Sequence, residues 1–177
     1  MPDERPRVDD ITLRLPTEAD AEAILQFYHQ VGHESPWLTF GPEGPQQTVE
    51  DQRRILRRTR TDNNALVVVA EREGRIIAHL NFMGGERVRT RHAGEFGIAV
   101  AAEAQGCGLG RRLMQVMLEW AKAGGVVRKV NLRVHPDNTR AIALYRSLGF
   151  VDEGLVTRDL LVDGAFEDSL LMGLPIG

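Results

Sequence analysis

The sequence predicts one mixed α/β domain: a central, twisted, mostly antiparallel sheet with one parallel strand-helix-strand unit, flanked by about four helices. Three observations carry that expectation. Apolar, β-branched runs stand in hairpin order early and late in the chain, with short turn signals between them. Over about residues 92–135 a strand-like run, a helical stripe and a second strand-like run follow one another, the order of a right-handed parallel crossover. The composition, 177 residues with 42% hydrophobic and 27% charged, is that of one soluble domain spanning 1–177, with residues 1–9 as a flexible leader.

Each element has its own local reason. "ITLRLP" alternates like a short strand, and "TEADAEAILQFYHQVG" sets Ala21, Ile24, Leu25 and Tyr28 on one helical face behind a Thr17–Asp20 capping box. Gly32 is expected to end that helix, and residues 32–47 to form a loop that carries Trp37 and Phe40. A short polar helix follows in "TVEDQRRILRRTR". "ALVVVAE" and "RIIAHLNFM", divided by "REGR", read as an antiparallel hairpin, and "HAGEFGIAVA" as a third strand. From Leu109 the apolar positions Leu113, Val116, Met117, Trp120 and Ala121 make a helical stripe that stops at Gly124–Gly125. "VRKVNLRVH" alternates again and ends before Pro136. "DNTRAIALYRSLGF" is an amphipathic helix through Ala141, Leu144, Tyr145 and Leu148, closed by Gly149. Last, "LVTRDLLV" and "AFEDSLLMGL" pair across the turn Asp163–Gly164.

Charge and composition exclude several function classes. A formal charge of −3 offers no global attraction for nucleic acid or an anionic membrane, so a bound polyanion must be met by a local device. Arg53, Arg54, Arg57, Arg58 and Arg60 on a polar helix read as a solvated face, with a nucleic-acid or protein adaptor as the competing reading. A single cysteine, no apolar segment of secretory type and no run of 18 apolar residues fit a cytoplasmic protein without a membrane span. His29 and His33 have the i, i+4 spacing of metal ligands but no third partner, so no metal is expected.

The chemistry-bearing stretch is "QGCGLGRRL", with Gly106, Gly108 and Gly110 at alternate positions where a strand enters a helix. A helix N-terminus presents unpaired N–H groups and about half a positive charge, so such a turn suits a phosphate; a purely structural turn uses glycine too. A Walker loop is absent, since no GxxxxGK string occurs. A dinucleotide fingerprint fails because Arg111 stands at its third glycine, and Arg128, Lys129 and Asn131 stand where the ribose-binding acid belongs.

"QGCGLG", read as Gln-x-x-Gly-x-Gly, together with "HPDNTRAIALYRSLGF" closely resembles the GNAT superfamily of acetyl-CoA-dependent N-acetyltransferases. The resemblance covers about residues 92–150, and the ending "EGLVTRDLLVDGAFEDSLLM" is similar to a bacterial branch that acetylates small amines, amino acids or protein N-termini. It implies a GNAT-like fold, acetyl-CoA as cosubstrate, an amine-bearing small molecule or peptide as acceptor, and a homodimer as one arrangement seen in relatives. It implies further that Gln105, Gly106, Cys107, Gly108, Leu109, Gly110 and Arg111 hold the cofactor diphosphate, with Arg112 beside them. Cys107 fills a free position of the motif, where it reads as packing. Backbone groups of Ile98 and Val100, with Ala99 between them also at the cofactor, would take the pantetheine and the acetyl group where sheet pairing splays, and Asn138 and Tyr145 would follow from the next helix.

Tyr145 is then the proton donor to the leaving thiolate, or a core residue completing the apolar stripe. Glu95 is the candidate base. Counted back from Val100, however, the glutamate of the histone-modifying relatives falls on Gly94, and a one-residue offset turns a side chain to the other face. Unless a bulge restores the register, Glu95 is a solvated carboxylate. Trp37 and Phe40 line the acceptor pocket, as loops do in relatives, or simply pack the loop. A non-catalytic CoA-binding protein would keep the glycine loop and Asn138 without a working base.

Overall fold

The computed structural model describes residues 10–177; the leader expected at 1–9 lies outside the described residues. Seven strands form one sheet in the order β1-β2-β3-β4-β5-β7-β6: β1 Thr12–Arg14, β2 Ala65–Arg72, β3 Arg75–Gly84, β4 Ala93–Val100, β5 Lys129–Val134, β6 Val151–Val162 and β7 Ala165–Pro175. Every neighbouring pair is antiparallel except β4 and β5, which are joined through α3, Leu109–Gly124. The other helices are α1, Ala21–Glu34, α2, Val49–Thr61, and α4, Thr139–Ser147. Among the described residues the mixed sheet, its single parallel pair and the four flanking α-helices match the sequence expectation.

Turn chemistry sets the hairpins. Glu73 and Gly74 (φ 52° and 74°) join β2 to β3, and Asp163 and Gly164 (φ 48° and 81°) join β6 to β7, the pairs of positive φ that a two-residue hairpin turn demands.

The sheet is covered on both faces, which is why β2 and β3 read as near-continuous apolar runs. On one face Leu113, Met114 and Met117 of α3 and Ile142 and Tyr145 of α4 pack on Leu80, Phe82, Phe96, Val130 and Leu132. On the other, Ile24, Phe27 and Val31 of α1 and Leu56 of α2 pack on Val67, Val69 and Ile76. Ala21 and Ile24 of α1 and Leu113, Met117 and Ala121 of α3 are buried as expected, but the edges of both stripes shift. In α1 Phe27 is buried while Leu25 and Tyr28 are only half-buried, and in α3 Met114 and Leu118 are buried while Trp120 lies at the rim against the Phe82 ring.

One local expectation fails. α1 runs through Gly32 to Glu34. A Cβ at Gly32 would collide with the Gly41 carbonyl, so glycine serves here to let the following loop close over the helix rather than to end it. His33 Nδ1 lies 2.8 Å from the His29 carbonyl, and His29 Nδ1 lies 3.2 Å from that of Pro42, so both imidazoles bond backbone. On α2, Arg53, Arg54, Arg57 and Arg58 each pair with a nearby carboxylate, which agrees with a solvated face. Among the described residues no helix is long and apolar enough to cross a membrane.

Edge strand β1 is tied down by charge. Arg14 donates to both Asp20 oxygens (3.0 and 2.7 Å) and to Glu71 (2.7 Å), while the Thr17 N–H donates to Asp20. Arg14, and then the Thr17 amide, hold the Asp20 carboxyl at about 2, below its ordinary 3.8. A depressed carboxyl pKa stabilises the fold above the unfolded value, and that contribution is lost as pH falls through the folded one. Asp20→Asn should therefore lower Tm at pH 7 by about 3 °C, for roughly 1 kcal/mol, and thermal melts should show the gap closing between pH 4 and 2. A gap unchanged at pH 2 would mean that Asp20 acts through cap geometry and not through charge.

Candidate active site

β4 and β5 pair over only three positions, Ala93↔Lys129, Gly94↔Val130 and Glu95↔Asn131. Past Glu95, β4 keeps its partners on β3 and β5 keeps its partners on β7, but among the described residues the two no longer bond each other. Between the parted strands lies a cleft of about 960 Å³.

Nearly every residue singled out from the sequence lines this cleft. Ile98, Ala99 and Val100 form one wall, Gln105, Gly106, Gly108, Leu109, Gly110 and Arg111 one end, and Asn138 and Tyr145 the α4 side; Glu95, Trp37 and Phe40 border it as well. Cys107 does not. Its Sγ bonds the Ala104 carbonyl at 3.1 Å and packs on the core, as its reading as packing foresaw. Arg112 is also turned away, with its guanidinium 3.3 Å from the Ile11 carbonyl, so of the two arginines only Arg111 borders the cleft.

The glycine turn has a clear local logic. Gly106 and Gly108 hold φ of 85° and 86°, which L side chains rarely adopt, whereas Gly110 lies in the first turn of α3 with ordinary helical geometry. No side chain caps α3, and its first internal bond runs from the Arg112 N–H to the Gly108 carbonyl. The amides just before it thus have no acceptor within the helix. Gln105 Nε2 donates to the Val100 carbonyl at 3.1 Å and fastens the turn to the end of β4. Asn138 is the N-cap of α4, its Oδ1 accepting from the Ala141 N–H at 3.2 Å.

The two candidate proton-transfer groups stand on opposite faces of the sheet. Tyr145 packs its ring on Phe96 and Phe150 (centroids 5.8 and 6.0 Å apart), and burial pushes its phenol up to about 12. Among the described residues its hydroxyl has no hydrogen-bond partner, while its ring borders the cleft. Glu95 alternates with Phe96 and so points the other way. The β3–β4 register runs unbroken from Ala78↔Val100 to Gly84↔Gly94, so no bulge shifts Glu95 to the position of Gly94. Gly94 has no room for a side chain, because a Cβ there would strike the Met83 carbonyl and the Phe82 ring. Glu95 borders the cleft from its own face, with Oε1 3.5 Å from Arg133 Nε.

Several lining residues were not anticipated. Tyr28 packs edge-on against Phe40 (5.4 Å), and its hydroxyl lies 3.1 Å from Nδ1 of His79, a buried imidazole whose pKa burial pushes down to about 3. The pair stays neutral over the working pH range. Trp37 packs on His135 (5.2 Å), which accepts from the Asp137 N–H through Nδ1 and so presents Nε2 to Glu167 at 3.3 Å. Arg133 stands among them; in the sequence it is one more polar residue of an alternating strand.

The Acetyltransferase (GNAT) family model matches residues 23–150. The chain belongs to the GNAT acetyltransferase family. A GNAT-family acetyltransferase from Streptococcus pneumoniae superposes with a TM-score of 0.89 at 30% identity, over 94% of this chain and 99% of that one. A phosphinothricin acetyltransferase from Sinorhizobium meliloti, solved in complex with acetyl-CoA, gives a TM-score of 0.78 at 27% identity over 95% and 89% of the two chains. The spermidine N(1)-acetyltransferase of Vibrio cholerae is 25% identical over 159 residues, 89% of this chain and 88% of that protein. This GNAT protein is an acetyl-CoA-dependent N-acetyltransferase, with acetyl-CoA as its cosubstrate.

The three loop glycines should separate on substitution. Gly108→Ala forces a left-handed alanine and should cost about 1–2 kcal/mol, some 3–6 °C in Tm. A Cβ at Gly110 meets only Leu144 Cδ2, at 3.7 Å, so Gly110→Ala should leave Tm unchanged or raise it. Equal losses in thermal melts of the two variants would contradict this assignment of roles.

Proposed function

We propose that the enzyme transfers the acetyl group to a primary amine of a small molecule, amino acid or peptide by direct attack within a ternary complex. The observation that carries this reading is the parting of β4 from β5, which leaves the main-chain groups of Ile98 and the N–H of Val100 without partners on the β5 side, beside a helix N-terminus that no side chain caps. Amides of the turn from Gly106 to Arg111, Cys107 included, hold the diphosphate, and the Arg111 guanidinium, 2.8 Å from Ser147 Oγ, flanks it. The pantetheine arm lies along Ile98–Val100 as an added strand, past Asn138, and a β4 amide donates to the oxyanion that forms when the amine attacks.

The opposed positions of Tyr145 and Glu95 support an in-line division of labour. Glu95, on the face that carries Trp37 and Phe40, takes the proton from the incoming ammonium. Tyr145, on the α4 face, donates a hydrogen bond to the sulfur as it becomes thiolate. Burial raises its phenol from 10.0 to about 12 and so disfavours a free phenolate, and the hydroxyl stays protonated and ready to donate. Trp37 and Phe40 form the acceptor wall.

Release of free CoA thiol, measured against a panel of amines, amino acids and peptides, tests the reading. Tyr145→Phe should lower kcat about tenfold or more while calorimetric affinity for acetyl-CoA changes less than twofold. Acetyl-CoA binding without thiol release for any amine would favour the non-catalytic CoA-binding reading instead.

A further inference from the structure

β6 is irregular where it passes the acceptor side of the cleft. Its pairing with β7 slips between Val156 and Leu160, and within the slip Arg158 holds φ +56° while its N–H donates to Asp168 Oδ1 at 2.9 Å. A bulge of this kind re-aims the side chains beside it, and left-handed geometry at a non-glycine residue persists only where its surroundings enforce it. What the bulge turns inward is Asp159. Its carboxylate, 14% exposed, takes a hydrogen bond from the buried Ser169 hydroxyl and another from Arg133 Nη1 at 2.8 Å. The same guanidinium presents Nε to Glu95 at 3.5 Å. The next charged groups on this side pair elsewhere: Glu167 with His135, and Lys129 with Glu153 at the closed end of the strands.

We propose that Arg133 is a positioning residue: braced from behind by Asp159 and Ser169, it holds the Glu95 carboxylate toward the reacting amine, so that the bulge of β6 serves the proton transfer. The inference rests on the role proposed above for Glu95. That side chain is 50% exposed on a strand and has no other ion-pair partner among the described residues, so its rotamers are otherwise free. A base must lie within hydrogen-bond reach of its proton, and a misplacement of about 1 Å can cost on the order of a hundredfold in rate. Exposed ion pairs contribute little to stability, whereas the planar guanidinium, bonded to one carboxylate, fixes the direction in which it meets the second.

A double-mutant cycle in the thiol-release assay tests this, with kcat and both KM values read for Glu95→Gln, Arg133→Met and the pair. Arg133→Met should lower kcat about tenfold with KM for acetyl-CoA within about twofold, Arg133→Lys should recover part of the loss, and Asp159→Asn should lower kcat severalfold. In the Glu95→Gln background Arg133→Met should have no further effect. Should Arg133→Met fail to fold, Arg133→Lys and Asp159→Asn close the same cycle with Glu95→Gln. Additive losses, or a change confined to KM, overturn the proposal. Parental kcat in Glu95→Gln removes the base assignment, and the clamp with it, while leaving acetyl transfer standing; thiol release by none of the proteins, parent included, overturns the transferase reading itself.

Discussion

A parallel pair that stops after three positions is the constraint on which the rest of this molecule depends. Main-chain N–H and C=O groups inside a sheet ordinarily satisfy one another, and leaving them unpaired at a buried wall costs free energy. Here β4 and β5 diverge although each remains bonded on its other side, so the sheet holds together around an opening lined with hydrogen-bonding backbone. Such an opening accepts an extended molecule that carries amides of its own. The glycine turn continues the same logic: it follows β4 after one short 3-10 turn, Ala102–Ala104, and Gln105 fastens it to the strand's last carbonyl.

An opening through a sheet also gives a reaction two sides. Phe96 and Glu95 are neighbours in sequence and face opposite directions, the first toward Tyr145 and the second toward Arg133. Aromatic rings back Tyr145 on its side, whereas the Glu95 side is bounded by Tyr28 and Val31 of α1 and the loop bearing Trp37 and Phe40, with Glu95 and Arg133 as its charged groups. The arrangement suits a donor entering from one face and an acceptor from the other, with proton release and proton donation kept apart.

Much of this was legible in the sequence because the signals were local. Two-residue turns at Glu73–Gly74 and Asp163–Gly164, the stop at Gly125 and the turn glycines Gly106 and Gly108 are all φ requirements that a single residue type meets. What misled was glycine used for contact: Gly32 lets a loop cross a helix, and nothing in "HQVGHE" distinguishes that from a helix end. The offset at Glu95 was visible as arithmetic, but its meaning needed the register. Gly94 is filled by Phe82 and the β3 backbone, and Glu95 reaches the cleft from the opposite face without any bulge. The Arg133–Asp159 contact was illegible, since it joins residues 26 apart through a slip in β6 that no local pattern announces. Phe27 is buried in α1, while Tyr28 packs half-buried beside it with its hydroxyl bonded to His79 at the cleft, a long-range pairing that helical periodicity does not encode.

In this enzyme the cofactor is expected to complete the hydrogen bonding of the parted strand and its following turn. Amide hydrogen exchange with and without CoA reads this residue by residue. Protection should rise together at the Ile98 and Val100 amides and along the turn from Gly106 to Arg111. Unchanged exchange in both segments at saturating CoA, or protection confined to other parts of the sheet, would contradict it.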